Sequence, residues 1–144
     1  MTMQVLTPRE ASIFACVCDT VVAPEPLLPP VRETDAVGFL DRWLAAAPAL
    51  NRAGLRGLLY AAELAPRLLG QAGRLRALPE AQRAAAMEAA DGAKRAEVRA
   101  LVKLVKSVAF LAYYGDDDVM GRLGYDPDAV VARGRELRAR EGRP

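Results

Sequence analysis

The sequence predicts an all-α protein, a single compact bundle of about six or seven helices without a sheet, over residues 1–144. Apolar residues recur at three- and four-residue spacings along most of the chain, as on the buried face of a helix. Residues typical of helix ends separate these stretches. No segment alternates β-branched and polar residues as a half-buried strand does. A chain of 144 residues has the size of one ordinary domain with a single core.

The first helix is predicted to begin at Thr7 and to run to about Val22. Thr7 and Glu10 form a capping box, in which each side chain bonds the backbone N–H of the other residue. Pro8 takes the first helical position, where no N–H is needed. Four prolines in seven residues then end the helix and predict a stiff, extended connector over residues 23–34.

A second helix is predicted over residues 35–47, with Thr34 as its cap. Its apolar face includes Trp43, the only tryptophan of the chain. The same helical projection places Asp41 and Arg42 on the opposite side, so we expect both to face solvent.

The middle of the chain is predicted to hold two more helices. The third is expected from Asn51 to about Leu69, with a kink or a new start at Pro66, because proline removes a helical hydrogen bond. A loop with two glycines follows over residues 70–76. The alanine-rich fourth helix is expected over residues 78–90, and Asp-Gly after it is a plausible break.

The last third of the chain is predicted to hold three helices. The long first one ends at Gly115 and the short second one at Gly124, because glycine is common just after a helix. The third begins at Asp126, which is followed by a proline and a second carboxylate, as in a strong helix start. The helices are expected over residues 93–114, 117–123 and 126–141, with a frayed tail over residues 141–144.

Composition limits the chemistry that the chain can perform. Twenty basic and eighteen acidic residues give a net charge of +2, which does not favour a nucleic-acid-binding protein. The absence of histidine excludes Ser–His and Cys–His catalysis and most zinc sites. With no glycine-rich phosphate loop and only two serines, the sequence predicts a protein that is not an enzyme and has no cofactor or metal of its own.

Two thiols and three consecutive aspartates are the remaining candidates for a reactive or metal-binding group. Cys16 and Cys18 point about 200° apart on a helix, so no internal disulfide is expected, and their apolar neighbours favour inert thiols over redox-active ones. Asp116, Asp117 and Asp118 point in three directions and lack the central glycine of an EF-hand loop. This pattern favours helix capping over calcium binding.

The location predicted from the sequence is cytoplasmic, without a membrane span. Charged residues interrupt the longest apolar stretch, residues 98–114. The N-terminus has neither a basic n-region nor a twin-arginine pair, which argues against an export signal. Two cysteines suit a reducing compartment.

Four aromatic residues are the candidates for contact with a partner: Trp43, Tyr113, Tyr114 and Tyr125. Aromatic side chains often anchor interfaces, although these four also suit a core. Two adjacent tyrosines on a helix point about 100° apart, so at least one of Tyr113 and Tyr114 is expected to be partly exposed. We predict that the exposed one is Tyr113.

A basic stripe on the long helix is the candidate for contact with an anionic surface. Arg99, Lys103 and Lys106 follow one another at four- and three-residue spacings and therefore share one face of the helix. A solvated face opposite the core gives the same spacing, so this alternative stays open.

Two parts of the sequence carry a family resemblance. Near the C-terminus, Ala112-Tyr113-Tyr114-Gly115-Asp116 precedes a short helix and Leu123-Gly124-Tyr125-Asp126-Pro127. Near the N-terminus, Leu6-Thr7-Pro8-Arg9-Glu10 precedes Cys18-Asp19-Thr20-Val21-Val22-Ala23-Pro24. Together they resemble the gluconate 2-dehydrogenase subunit 3 type of small protein. The C-terminal part also resembles the helical segment that precedes the flavin domain in long-chain alcohol oxidases.

This resemblance implies an accessory role. Proteins of that type have no cofactor of their own and accompany a flavin-dependent oxidoreductase of the glucose–methanol–choline class, which holds the FAD. The resemblance carries over no catalytic residue. Tyr114, Gly124 and Tyr125 match its pattern and are expected as interface or packing positions. The family's twin-arginine signal is missing here, so the resemblance does not extend to a periplasmic location.

The expected function is that of a non-catalytic accessory subunit or binding partner of such an oxidoreductase, which acts on alcohols, sugars or sterols. The chain would stabilise its partner, assist flavin loading or gate the substrate entrance. The alternative is a self-associating helical interaction or regulatory module without an enzyme partner, for which a homo-oligomer is expected and whose basic middle binds an anionic surface.

Overall fold

Seven α-helices and two 3-10 turns form the part of the chain that the computed structural model describes, residues 3–22 and 26–142. These residues contain no strand, so the all-α prediction is confirmed. The α-helices are α1 (Pro8–Val22), α2 (Ala36–Ala46), α3 (Ala49–Leu68), α4 (Glu80–Asp91), α5 (Ala96–Tyr114), α6 (Asp117–Arg122) and α7 (Pro127–Glu141). The 3-10 turns, Val31–Glu33 and Leu75–Ala77, precede α2 and α4.

Helix α5 is the centre of the bundle. Its inner face packs most extensively on α1, and α2, α3 and α4 also contact it. The buried α5 residues are Val102, Val105, Val108, Ala109, Ala112 and Tyr113. They share one apolar cluster with Ile13, Phe14 and Val17 of α1, which have no exposed surface. Each buried side chain of this size stabilises the fold by about 1.5–3 kcal/mol.

The start of α1 follows the predicted capping box. The Glu10 carboxylate accepts hydrogen bonds from the Thr7 backbone N–H and from its hydroxyl, both at 2.9 Å. The Glu10 backbone N–H donates to the Thr7 hydroxyl oxygen at 3.3 Å. The box therefore satisfies donors that the first helical turn otherwise leaves without partners.

The prediction that Thr34 caps α2 is wrong. The Thr34 hydroxyl donates to the Val31 carbonyl at 2.8 Å and so closes the 3-10 turn instead of the helix. Asp35 occupies the cap position, without a capping bond from its side chain. Arg42 is exposed, as expected, and pairs with Asp35 at 2.7 Å.

The prediction that Asp41 faces solvent is also wrong. Its carboxylate is buried because the N-terminal segment crosses α2 there. The backbone N–H groups of Gln4, Val5 and Leu6 donate to the two Asp41 oxygens at 2.7, 2.9 and 2.8 Å. A helical projection uses only the residues of α2, so it cannot show that the N-terminal segment covers Asp41.

Helix α3 starts earlier than predicted and continues through Pro66. It begins at Ala49, with Pro48 before it, and not at Asn51. Pro66 lies in the last turn, and the Gln71 N–H bonds the Pro66 carbonyl at 2.9 Å beyond the end of the helix. Because proline has no N–H, the bond that residue 66 would otherwise donate to the Ala62 carbonyl is missing.

Helix α7 stands apart from the core. Its start follows the prediction, since the Asp126 carboxylate accepts the N–H groups of Asp128 and Ala129 at 3.0 and 3.1 Å. It ends at Glu141, and the residue after it, Gly142, has a φ of +63°, a value that favours glycine. None of the fifteen described residues of α7 is buried. Within the predicted connector and tail, residues 23–25 and 143–144 lie outside the described residues.

Candidate functional site

The four aromatic candidates do not form one site. Trp43 lies on α2, whereas Tyr114 ends α5 and Tyr125 lies in the turn before α7. All three are exposed. The Phe39 ring packs 6.3 Å from the Trp43 ring, centroid to centroid, and also lies against Gly115, the residue after Tyr114.

Tyr113 belongs to the core, which corrects the prediction that it is the exposed tyrosine. Its side chain has no exposed surface, and its hydroxyl donates to the Pro29 carbonyl at 2.7 Å. Tyr114 is 41% exposed and meets the Tyr113 ring edge to face at 5.1 Å. Burial raises the pKa of Tyr113, so its hydroxyl remains a donor. The expectation that one of the two is exposed is confirmed.

Replacing Tyr113 with phenylalanine is expected to lower the free energy of unfolding by about 1 kcal/mol, because the buried Pro29 carbonyl loses its donor. The same change at Tyr114 is the matched control and should stay within about 0.5 kcal/mol. Urea unfolding followed by circular dichroism measures both. Equal losses for the two variants would contradict the role of the Tyr113 hydroxyl.

An apolar cleft opens beside Trp43, where α2 turns into α3. Trp43 is 40% exposed, and the cleft next to it has a volume of about 240 Å³. The turn is short because only Ala47 and Pro48 separate the two helices, and both are extended. We call this the Trp43 cleft; its lining residues are Trp43, Ala46, Ala47, Pro48, Asn51 and Leu55.

Of the three aspartates after α5, Asp116 caps α6, and Asp117 and Asp118 lie in the first turn of that helix, as the sequence predicted. One Asp116 oxygen accepts the N–H groups of Asp118 and Val119 at 3.0 and 3.4 Å and caps α6. The other accepts the Asp35 N–H at 2.9 Å, at the start of α2. The Asp116 carboxylate therefore joins the N-terminal ends of two helices.

Helix α5 has a second apolar face, which was not among the sites predicted from the sequence. Leu104, Phe110, Leu111 and Tyr114 are all exposed on the side away from the core. The Phe110 and Tyr114 rings lie 6.1 Å apart. We call these four residues the α5 outer face. The recurrence of apolar residues at seven- and three-residue spacings from Leu104 is the sequence signal that could have revealed it.

The basic stripe of α5 is largely used inside the chain. Arg99 donates to the carbonyls of Ala93 and Lys94 at 2.6 and 2.9 Å. Lys106 pairs with Asp91 at 2.8 Å, and this hydrogen bond lowers the pKa of the Asp91 carboxyl. Lys103 is exposed. Two of the three cations therefore hold the turn between α4 and α5.

Both cysteines are buried free thiols on α1. Burial raises the pKa of Cys18 to about 12, with a further contribution from the charge of Asp19. Burial also raises the pKa of Cys16, although Arg83 lies 3.5 Å from its sulfur and opposes the change. Neither thiol forms much thiolate near neutral pH, so both are weak nucleophiles.

Within residues 3–22 and 26–142, no group of three or more histidine, cysteine or acidic residues is arranged so that it could hold a metal ion. None of the helices formed by these residues combines the length and apolarity needed to cross a bilayer. Comparison of the chain with protein-family models, with curated proteins and with solved structures finds no match.

Proposed function

We propose that the chain is a non-catalytic accessory subunit of a flavin-dependent oxidoreductase of the glucose–methanol–choline class, and that the Trp43 cleft is its contact site. The resemblance of both chain ends to the subunit 3 type of small protein supports the class of partner. The structural observation that carries the proposal is an exposed tryptophan beside an apolar cleft.

The shape and chemistry of the Trp43 cleft suit a protein side chain. Tryptophan is enriched among the residues that dominate binding energy, and it acts best next to a pocket that excludes water. An apolar side chain of the partner would enter the cleft and cover the Trp43 ring. Asn51 adds a polar side chain to the lining of the cleft.

The FAD and the chemistry belong to the partner in this proposal. The chain would stabilise the oxidoreductase, assist its flavin loading or gate its substrate entrance. Its two free thiols suit a reducing compartment, so we place the complex in the cytoplasm.

Co-expression with the glucose–methanol–choline oxidoreductases of the same genome tests the proposal. We expect one of them to co-elute with this chain in size-exclusion chromatography, with flavin absorbance in the shared peak. Trp43→Ala should weaken the association at least about tenfold, because it removes the anchor of the contact. Leu27→Ser, which alters an exposed apolar side chain outside the cleft, should leave it unchanged.

Thermal unfolding of the isolated variants checks that both remain folded. If no such oxidoreductase co-elutes with the folded chain, the proposed function is wrong. If one co-elutes and Trp43→Ala binds as well as the unchanged chain, the contact does not involve the cleft.

A further inference from the structure

The buried part of the chain ends before α7 begins. Val119 of α6 has no exposed surface, and it is the last buried residue among those that the structure describes. From residue 121 to residue 142 every residue is exposed except Gly134, which is partly buried. No residue of α7 belongs to the apolar cluster of the core. The packing of the core therefore does not hold α7.

The polar contacts of α7 also lie within its own segment. Its first N–H groups bond the Asp126 carboxylate, directly before the helix. In the part of the chain that the structure describes, no side chain of residues 127–140 forms a hydrogen bond or ion pair with another helix. Extensive contacts between these described helices do not involve α7 either. Local interactions therefore have to keep this helix folded.

The two ends of α7 carry signals that favour the helix. The Asp126 carboxylate caps two N–H groups at the start. Arg138 and Arg140 lie in the last turn, where positive charge interacts favourably with the free carbonyl groups. Both effects are small for an exposed helix, because water screens the charges and solvates the backbone.

The interior of α7 opposes these signals. Gly134 loses more backbone freedom in a helix than any other residue type, and Val130 and Val131 lose side-chain freedom. Isolated helices shorter than about 12–15 residues are marginal in water even when they are rich in alanine. Helix α7 has fifteen residues. Its helical and unfolded forms are therefore expected to have similar free energies.

The turn before α7 separates it from α6. The Tyr125 N–H donates to the Met120 carbonyl at 2.9 Å and closes the end of α6 before Asp126 is reached. Gly124 has a φ of +70°, and no described atom lies within 4 Å of the position that its Cβ would take. Because this bond precedes α7, α6 keeps its end whether α7 is helical or unfolded.

We propose that α7 is an arm that folds and unfolds independently of the bundle. In the free chain it exchanges between a helix and an unfolded segment, while α1 to α6 stay packed. Gly134 sets the balance between the two forms. The unit that unfolds cooperatively ends near Tyr125. The proposal does not depend on the accessory role or on the Trp43 cleft.

Hydrogen exchange of the purified full chain tests the arm. Amides of α7 should exchange within about tenfold of the rate in an unfolded chain, whereas those of Val105 and Val108 in the core should exchange at least about 1,000-fold more slowly. Gly134→Ala should slow the exchange of α7 about two- to fivefold, because alanine has the higher helix propensity. The same variant should leave the amides of Val105 and Val108 unchanged.

Thermal unfolding followed by Trp43 fluorescence tests the independence of the bundle, since α7 contains no aromatic residue. Gly134→Pro breaks α7 and should move the midpoint by no more than about 1 °C, whereas a proline inside the cooperative unit would lower it by about 10 °C. Ser107→Gly is the control at an exposed position of α5. This milder change should lower the midpoint by about 2 °C, because α5 belongs to the bundle.

Two results would overturn the proposal. One is exchange of the α7 amides as slow as that of Val105 and Val108, and the other is a loss of about 10 °C for Gly134→Pro. Fast exchange that Gly134→Ala does not slow would overturn the role of Gly134. These measurements use the purified chain alone, so the outcome of the oxidoreductase test does not affect them.

Discussion

Replacing Asp41 with asparagine is expected to lower the free energy of unfolding by about 2–4 kcal/mol at neutral pH. The Asp41 carboxylate accepts three backbone N–H bonds from Gln4, Val5 and Leu6, and it is buried. An asparagine has one acceptor oxygen, and its amide nitrogen would face a backbone N–H, donor against donor. The N-terminal segment would then lose its attachment to α2. Chemical unfolding followed by circular dichroism measures the change.

The loss of stability caused by Asp41→Asn should become smaller as the pH falls. Burial by itself raises the pKa of the Asp41 carboxyl, but the three backbone donors and the charge of Arg42 outweigh it, so the pKa lies below its usual value. A lowered pKa stabilises the folded state above the pKa of the unfolded chain, about 3.9, and this contribution is lost as the pH falls through the folded value. The difference in the free energy of unfolding between the unchanged chain and Asp41→Asn should therefore become smaller in acid.

The matched control is the same substitution at Asp35, at the start of the same helix. Asp35 is exposed and its carboxylate pairs with Arg42, so Asp35→Asn should cost no more than about 1 kcal/mol. Equal losses at the two positions would contradict the anchoring role of Asp41. If the loss of unfolding free energy caused by Asp41→Asn stays constant from neutral pH to acid, the pKa of Asp41 is not lowered in the folded state.

Local signals made the helices predictable from the sequence. The capping box at Thr7, the capping aspartate at Asp116 and the Asp-Pro start of α7 each act within four residues, so the sequence contains both partners. Boundaries that depend on distant contacts were less predictable. Thr34 bonds back to Val31 because the connector folds into a 3-10 turn, which the run of prolines did not reveal.

The buried polar groups could not be predicted because their partners are far away in the sequence. A helical projection assigns a carboxylate to solvent. The Asp41 carboxylate instead accepts hydrogen bonds from three backbone N–H groups that lie between 35 and 37 positions earlier in the chain. Tyr113 is held by the carbonyl of Pro29, 84 positions away. The α5 outer face escaped notice for a related reason. An apolar residue is assigned to the core, and only the packed structure shows which of two apolar faces the neighbouring helices leave uncovered.

Replacing Glu10 with glutamine is expected to lower the free energy of unfolding by about 2–3 kcal/mol at neutral pH. The Glu10 side chain is fully buried, and one oxygen accepts the Arg56 Nε–H at 2.7 Å while the other accepts both Thr7 donors. A glutamine cannot satisfy these donors together, and Arg56 loses its countercharge. Because the Arg56 side chain is 39% exposed, water replaces part of that interaction, which keeps the loss below that of a fully enclosed pair.

A double-mutant cycle isolates the contribution of the ion pair. Arg56→Met removes the cation and retains much of its apolar stem, so Glu10→Gln should cost less in that background than in the unchanged chain. Burial raises the pKa of Glu10, but the Arg56 bond and the Thr7 donors outweigh it, so the Glu10 contribution should fade below about pH 4. Glu33→Gln, at an exposed pair with Arg32, is the control and should change stability by less than about 1 kcal/mol. Strictly additive losses in the cycle would show that Thr7, and not Arg56, accounts for the stability that Glu10 provides, because an ion pair must couple the two positions.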